Sequence, residues 1–199
     1  TFVGAWAGDA VTSAGYNTVL GFQAFSDATT DSTHTIAIGY QAGKAITSGD
    51  GNVMIGASAG NTTTDVDQAV IIGQNAGQGN MTSDADGTVA IGYQAARYTT
   101  DGRYNTAIGW AALNANKRND FNTAVGYRAL TAMSASSAGT TGNTAVGSWC
   151  GDSVTTGTHN TLMGQYAGQS ITTGNYNNII GAQAGYQTNT GGYNVMIGM

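Results

Sequence analysis

Proline and glutamate are both absent from the 199-residue chain, and only four residues are leucine (Leu20, Leu113, Leu130, Leu162). Helices draw heavily on Leu, Glu, Lys and Ala, so this shortage excludes a helical bundle or a coiled coil. Charge is scarce too: charged residues make up 9% of the chain, against roughly 25% in ordinary globular domains. All eleven acids are Asp, and six basic residues leave a net charge of −5. Nucleic-acid binding needs a basic footprint and is not expected. The lone Cys150 excludes an internal disulfide framework. No apolar run approaches the ~18 residues of a spanning helix, so membrane insertion is not expected, and no targeting segment is visible. The chain starts at Thr1, which suggests a fragment of a longer protein.

Glycine, by contrast, is plentiful at 31 residues. It follows no G-X-Y period, which with the missing Pro excludes collagen. At 41% hydrophobic the chain can bury a core and is not a disordered acidic tail. The glycines instead punctuate a repeat. The string NTAIG or a close variant places Gly at 4, 21, 39, 56, 73, 92, 109, 126, 147, 164, 181 and 198, with spacings of 17, 18, 17, 17, 19, 17, 17, 21, 17, 17 and 17. The whole chain, residues 1–199, reads as a single domain of about eleven 17-residue units.

Columns counted from that glycine (position 0) define the unit. Position −1 is always aliphatic or Met, from Val3 and Leu20 to Ile108 and Ile197, and −2 is always apolar. Position +3 is Ala in ten units and Cys150 in another, and +4 is often Gly. Position −4 is Asn at 17, 52, 105, 122, 143, 160, 177 and 194. Seventeen residues are too few for a helical hairpin repeat. They suit a coil of short strands (TAI, VMI, VII) and tight corners, GxxAG and TTG, where Gly, and next best Asn, accepts positive φ. The expected fold is all-β: a parallel β-solenoid, or β-roll, with every column a ladder of about 4.8 Å spacing and the Asn column bonded from coil to coil. The extra residues fall in Ser26–Thr33, Gln78–Asp86 and Leu130–Thr141, always between the GxxA corner and the next Asn, and are expected as surface loops.

Side chains alternate along a strand, so in TAI the Thr and Ile share one face and the Ala takes the other. Both columns before the glycine being apolar, the strands are expected to be buried on both sides. The Ile column, including Ile91 and Ile108, is expected to fill the coil interior. The small residues Ala107, Ala124 and Ala145 are expected outside, allowing a second copy to approach closely.

NTAIGYQAG-type repeats with a TTG turn resemble the repetitive stalks of bacteriophage tail fibres and of surface fibres that end in an intramolecular endosialidase-type chaperone domain. More loosely they are similar to the heads of trimeric autotransporter adhesins, whose AIG-containing units are somewhat shorter. The resemblance covers the chain and rests on Asn105–Gly109, Asn122–Gly126, Asn143–Gly147, Asn160–Gly164 and their equivalents. It implies left-handed coils in a parallel homotrimeric fibre, extracellular on a virion or a bacterial cell surface. Its further partners would be flanking fibre domains and a host-surface glycan or protein receptor.

No catalytic, cofactor-binding or metal site is identified. His34 and His159 share column −5 with Tyr16, Tyr104, Phe121, Tyr176 and Tyr193 and read as corner residues. Cys150 reads as a buried, inert thiol. GASAG lacks the Lys and following helix of a phosphate loop, and Asn61 and Asn80 begin chance-level glycosylation sequons. Asp50, Asp67 and Asp86 fall at −6, and Asp65, Asp84 and Asp101 at −8. A solvated acidic edge, eased by Arg103 and Arg118, is favoured there over Ca²⁺ binding. The aromatics at +1 (Phe22, Tyr40, Tyr93, Trp110, Tyr127) are expected to pack at coil edges or between chains, ahead of forming a glycan-stacking surface.

The function expected is a structural and adhesive fibre segment, phage tail fibre before bacterial adhesin. An ice-binding solenoid is the alternative of another class, weakened by the lack of a sustained outward TxT. A polysaccharide-cleaving enzyme would need paired carboxylates in a groove, whereas these acids sit in repeating corners, so no enzyme is expected.

Overall fold

The computed structural model describes residues 1–12, 15–28, 32–134, 139–187 and 189–199. Its strands are β1 (Phe2–Val3), β2 (Thr18–Leu20), β3 (Ile36–Ile38), β4 (Val53–Ile55), β5 (Val70–Ile72), β6 (Val89–Ile91) and β7 (Thr106–Ile108). They continue as β8 (Asn119–Asp120), β9 (Thr123–Val125), β10 (Gly139–Thr140), β11 (Thr144–Val146), β12 (Thr161–Met163), β13 (Asn178–Ile180) and β14 (Val195–Ile197). Twelve of them stack in chain order into one parallel sheet, while β8 and β10 pair in a second, two-stranded one. The only helical element among the described residues is a 3₁₀ turn at Ser83–Ala85, capped by the Thr82 hydroxyl. The protein is a parallel β-solenoid of about eleven coils.

Register follows the repeat. Ala107 faces Ala90 and Ala124, and Ile108 faces Ile91 and Val125, so like columns stack along the axis. The −1 glycine neighbours hold the same order, and Gly109 N–H donates to Ile91 O at 2.7 Å. The glycine column itself has φ between 128° and 141°. A Cβ on Gly56 would lie 2.7 Å from the carbonyl carbon of Gly73, so no larger residue fits without parting the coils.

The face assignment is the reverse of the one expected. Ala107, Ala124 and Ala145 are fully buried, whereas Ile108 is 36% exposed and Ile91 half-buried. The −2 side chains point into the coil with the buried Asn of −4, which shares their parity. The −3 and −1 side chains point out. The interior is thin because each strand lies against its own returning corner, so a large inward residue such as Met54 or Ile71 stands over a glycine corner, although Val19 and Phe25 are both enclosed in one coil. Met54 and Ile71 face the glycines Gly60 and Gly77, whose added Cβ atoms would come 2.7 Å from Met54 Sδ and 2.9 Å from Ile71 Cδ1. Ala107 and Ala124 instead share their coils with the buried Leu113 and Leu130. Where a coil has only Ala and Gly, neighbours fill the space, as Leu130 and Leu162 do beside Gly151, in keeping with close packing.

A further buried column, not recognised in the sequence, lies at +7: Ala28, Ile46, Thr63, Thr99, Asn116, Met133, Val154 and Ile171. The insertion in 78–86 sends Met81 and Ala85 inward as well. The other two insertions include 29–31 and 135–138, which lie outside the described residues.

The Asn ladder forms as expected. Asn122 N–H and Nδ2 donate to Asn105 Oδ1 at 2.9 and 3.1 Å, and Asn143 N–H donates to Asn122 Oδ1 at 3.0 Å. The amides also reach across the interior, Asn143 Nδ2 to Gly157 O and Asn160 Nδ2 to Gly174 O, both 2.8 Å. Of the TTG glycines, Gly142 has the expected positive φ (54°) but Gly157 and Gly174 do not; a Cβ on Gly157 would lie 2.5 Å from Gly174 O. Close approach of successive coils is what requires Gly there.

Left-handed backbone is also carried by ordinary residues in three columns. Among the described residues twenty-three non-glycines have positive φ, such as Gln41, Gln94 and Arg128 at +2, Tyr104, Phe121 and His159 at −5, and Phe25, Ala96, Leu113 and Leu130 at +4. Each costs on the order of 1 kcal/mol. The conformation aims the N–H along the axis: Gln41 N–H donates to Phe22 O at 2.9 Å and Tyr104 N–H to Asp86 O at 3.0 Å.

Candidate functional site

The outward face of the twelve-stranded sheet carries four parallel columns. Ile36, Val53, Val70 and Val89 stand at −3 in the first half, and Thr106, Thr123, Thr144 and Thr161 in the second. Column −1 runs beside them, from the exposed Leu20 through half-buried Ile55, Ile72 and Ile91 to Met163, which is 42% exposed. Aromatic rings flank this aliphatic band on both sides.

At −5, Tyr16 stacks on His34, Tyr104 on Phe121, and His159 on Tyr176 and then Tyr193, with centroids 4.9 to 5.4 Å apart. The two histidines thus sit in the corner column, held by ring stacking. At +1, Phe22 stacks on Tyr40 at 5.7 Å, and Tyr93, Trp110 and Tyr127 form a run at 5.7 and 5.0 Å. That run continues into Trp149 and Tyr166 at 5.3 and 6.4 Å. Sequence reading missed these two because they stand at +2, one residue beyond the column; likewise Trp6, which packs edge-on against Phe22 at 5.0 Å. A ring at +2 in three of the coils whose +1 is small or polar (Ala5, Ser148, Gln165) was the available signal. Rings stacked face to face show mainly their edges to solvent. A sugar packs on a face, so the body of this ladder is a packed edge.

The acidic columns are tied into the backbone. Asp50 N–H donates to Asp67 Oδ1 at 2.7 Å, Asp67 N–H to Asp86 Oδ1 at 2.8 Å, and Arg103 N–H to Asp120 Oδ1 at 3.0 Å. Each −6 carboxylate thereby fixes the preceding coil. Arg118 pairs with Asp101 at 3.0 Å, and Arg103 reaches Asp84 at 3.6 Å and Asp120 at 3.8 Å, bringing together the acids and bases that the columns placed on one edge. Desolvation pushes the Asp86 carboxyl above its ordinary value, aided by the charges of Asp67, Asp65 and Asp84 and opposed by the Asp67 N–H. Among the described residues, no group of three or more His, Cys, Asp or Glu side chains is arranged to hold a metal ion.

Cys150 takes its place in the buried Ala column, and burial pushes its thiol up to about 12. The thiolate that reactivity requires is suppressed. Asn80 is exposed, whereas Asn61 is half-buried with its Oδ1 enclosed and unpartnered. GASAG spans the turn after β4 and leads into no helix. Among the described residues no helix is long and apolar enough to cross a membrane. Arg128 lies 4.3 Å over the Trp149 ring while its Nε meets Asp152 at 3.3 Å, clamping one corner of the aromatic ladder.

No protein-family model, curated protein or solved structure matches this chain.

Proposed function

We propose that the chain is a structural and adhesive segment of an extracellular fibre, most simply a phage tail fibre, in which three copies run parallel and share the outward face of the sheet. The observation that carries this reading is the aliphatic column at −1, half-buried or exposed in every coil from Leu20 to Ile180 and widened at −3 by Ile36, Val53, Val70 and Val89. Soluble monomers rarely expose a contiguous apolar patch beyond a few hundred Å², and this band runs the length of a rod on the order of 50 Å. Parallel copies in register would set each coil's band against its counterparts. A rod whose backbone is bonded at every coil is stiff and resists proteases, as an appendage that presents a tip at a distance must. Two-fold pairing would also cover the band; the resemblance of the NTAIG repeats to trimeric stalks selects three.

Light scattering should give a mass near three times 20.1 kDa, and a stable monomer at micromolar concentration would overturn the reading. Ile91→Asp with Ile108→Asp should lower that mass while leaving the β-sheet circular dichroism signal intact. A bacterial surface adhesin is the alternative within the class: a downstream chaperone domain favours the phage fibre, a membrane β-barrel anchor the adhesin. The rank Thr106, Thr123, Thr144 and Thr161 supports the ice-binding reading, which a thermal-hysteresis assay tests directly.

A further inference from the structure

The aromatic ladder has an end. Tyr93, Trp110, Tyr127, Trp149 and Tyr166 follow one another ring to ring, stacked except for the tilted Tyr127–Trp149 pair, but the next coil offers only Ala182 at +1 and Gln183 at +2. Trp149 covers one face of Tyr166, at an interplanar angle of 18°. Tyr166 also lines an open recess of about 370 Å³, together with Gln169, Gln183 and Tyr186. This volume is at the small end of the roughly 300–1,000 Å³ typical of ligand sites.

The four residues come from equivalent places in two successive coils, +2 and +5, and the backbone holds them. Tyr166 and Gln183 both have φ 58°. Tyr166 N–H donates to Ser148 O at 3.0 Å, Gln183 N–H to Gln165 O at 2.8 Å, Gln169 N–H to Tyr166 O and Tyr186 N–H to Gln183 O, both 3.2 Å. The walls are therefore preorganised, which lowers the cost of binding.

We infer that this recess is a binding subsite for a neutral pyranose, the ring seated against Tyr166 with its hydroxyls toward the amides of Gln169 and Gln183. An aromatic face carries negative charge density and attracts the polarised C–H face of a sugar. Each Gln amide offers two donors and one acceptor oxygen, matching hydroxyls that both give and receive. No cation is among the lining residues, so a uronic or sialic acid finds no counter-charge. The site is independent of the fibre reading, because its residues follow the glycine and lie outside the −3 and −1 columns.

The test is saturation-transfer NMR on the intact chain with methyl β-D-galactopyranoside and methyl β-D-glucopyranoside, with glucuronic acid and adenosine as comparisons. Transfer to at least one neutral glycoside is expected, with a dissociation constant on the order of 1 mM. Tyr166→Ala should weaken it by about tenfold or more, since Ala111 already occupies the equivalent place in another coil and the fold is kept. Tyr93→Ala, at the far end of the same ladder, should leave binding unchanged. Absence of transfer to both glycosides, insensitivity to Tyr166→Ala, or equal transfer to glucuronic acid or adenosine would overturn the assignment. The mass of each variant is read in parallel, so loss of assembly is told apart from loss of the subsite.

Discussion

The coils around residues 50–77 and those around 103–130 share a backbone and almost nothing else. The first pair sets Met54 and Ile71 on the strand against Gly60 and Gly77 at the corner; the second sets Ala107 and Ala124 beside Leu113 and Leu130. Outside, the first shows Val53 and Val70 with bare corners at Gly51 and Gln68, while the second shows Thr106 and Thr123 between Tyr104, Phe121, Trp110 and Tyr127. At −6 the first has Asp50 and Asp67, the second Arg103 and Asp120. What survives is the glycine at 0, the Ala at +3 and the outward aliphatic at −1, with Asn at −4 in three of the four coils (Asn52, Asn105, Asn122) and Ala69 in the fourth. The difference teaches that the fold depends on backbone spacing and interior volume, with the surface free to vary.

That division can be broken most severely at the shared glycine. Gly56→Ala and Gly109→Ala each force a Cβ to 2.7 Å from the next coil's carbonyl carbon at a φ near 131°. Both should lose about 4 kcal/mol or more, equally in the two regions, as read by denaturant unfolding. A cost confined to one region would show that the two backbones differ.

The volume rule makes the next largest prediction. Leu113→Gly should lose about 3 kcal/mol through the cavity it leaves. Adding Ala107→Met, which imports the Met54 and Gly60 pairing, should recover more than half of that. The double-mutant cycle measures the coupling; additive losses would mean that strand and corner do not share one volume.

Asn122→Ala removes the acceptor for Asn143 N–H and the donor to Asn105 Oδ1 inside a buried ladder. A loss of about 2 kcal/mol is expected, with hydrogen exchange accelerated at Asn143 first. Protection unchanged at that amide would remove the ladder from the stabilising interactions.

The smallest effect is electrostatic and belongs to the acidic coils alone. Asp86 has a folded-state value raised above 3.8, so the folded protein binds its proton more tightly than the unfolded chain does. Its contribution to stability therefore grows as pH falls through the raised value and is lost as pH rises above it. Asp86→Asn retains an oxygen for the Asp67 N–H and removes the charge. Melting temperature near neutral pH should rise slightly, and its slope with pH just above the ordinary carboxylate range should flatten. An unchanged slope would point to other acids.

Much of this architecture was legible from residue identity because a solenoid repeats its constraints. A glycine that recurs twelve times, mostly 17 residues apart, marks a backbone that accepts nothing else, and eight Asn in one column mark a ladder. The direction of the faces was not read correctly, although the clue was present: Asn at −4 and Ala at −2 share parity, and a buried amide ladder places both inside. The extension of the ring ladder through Trp149 and Tyr166 was hidden because left-handed residues at +2 bring neighbouring columns to one edge, which a column-by-column reading treats as separate. The subsite at Tyr166 was invisible for the same reason: it depends on where a ladder stops, not on any motif.

By itself the sequence determined the unit length, the strands, their order and register, since these follow from the period of Gly, Ala and Asn and from what those side chains can and cannot occupy. The tertiary structure alone decided which apolar column is enclosed. One side of each strand lies against its own returning corner, leaving room for Ala or for a large residue over Gly, and the Ile column therefore stands outside, at the surface where a second copy would have to meet it.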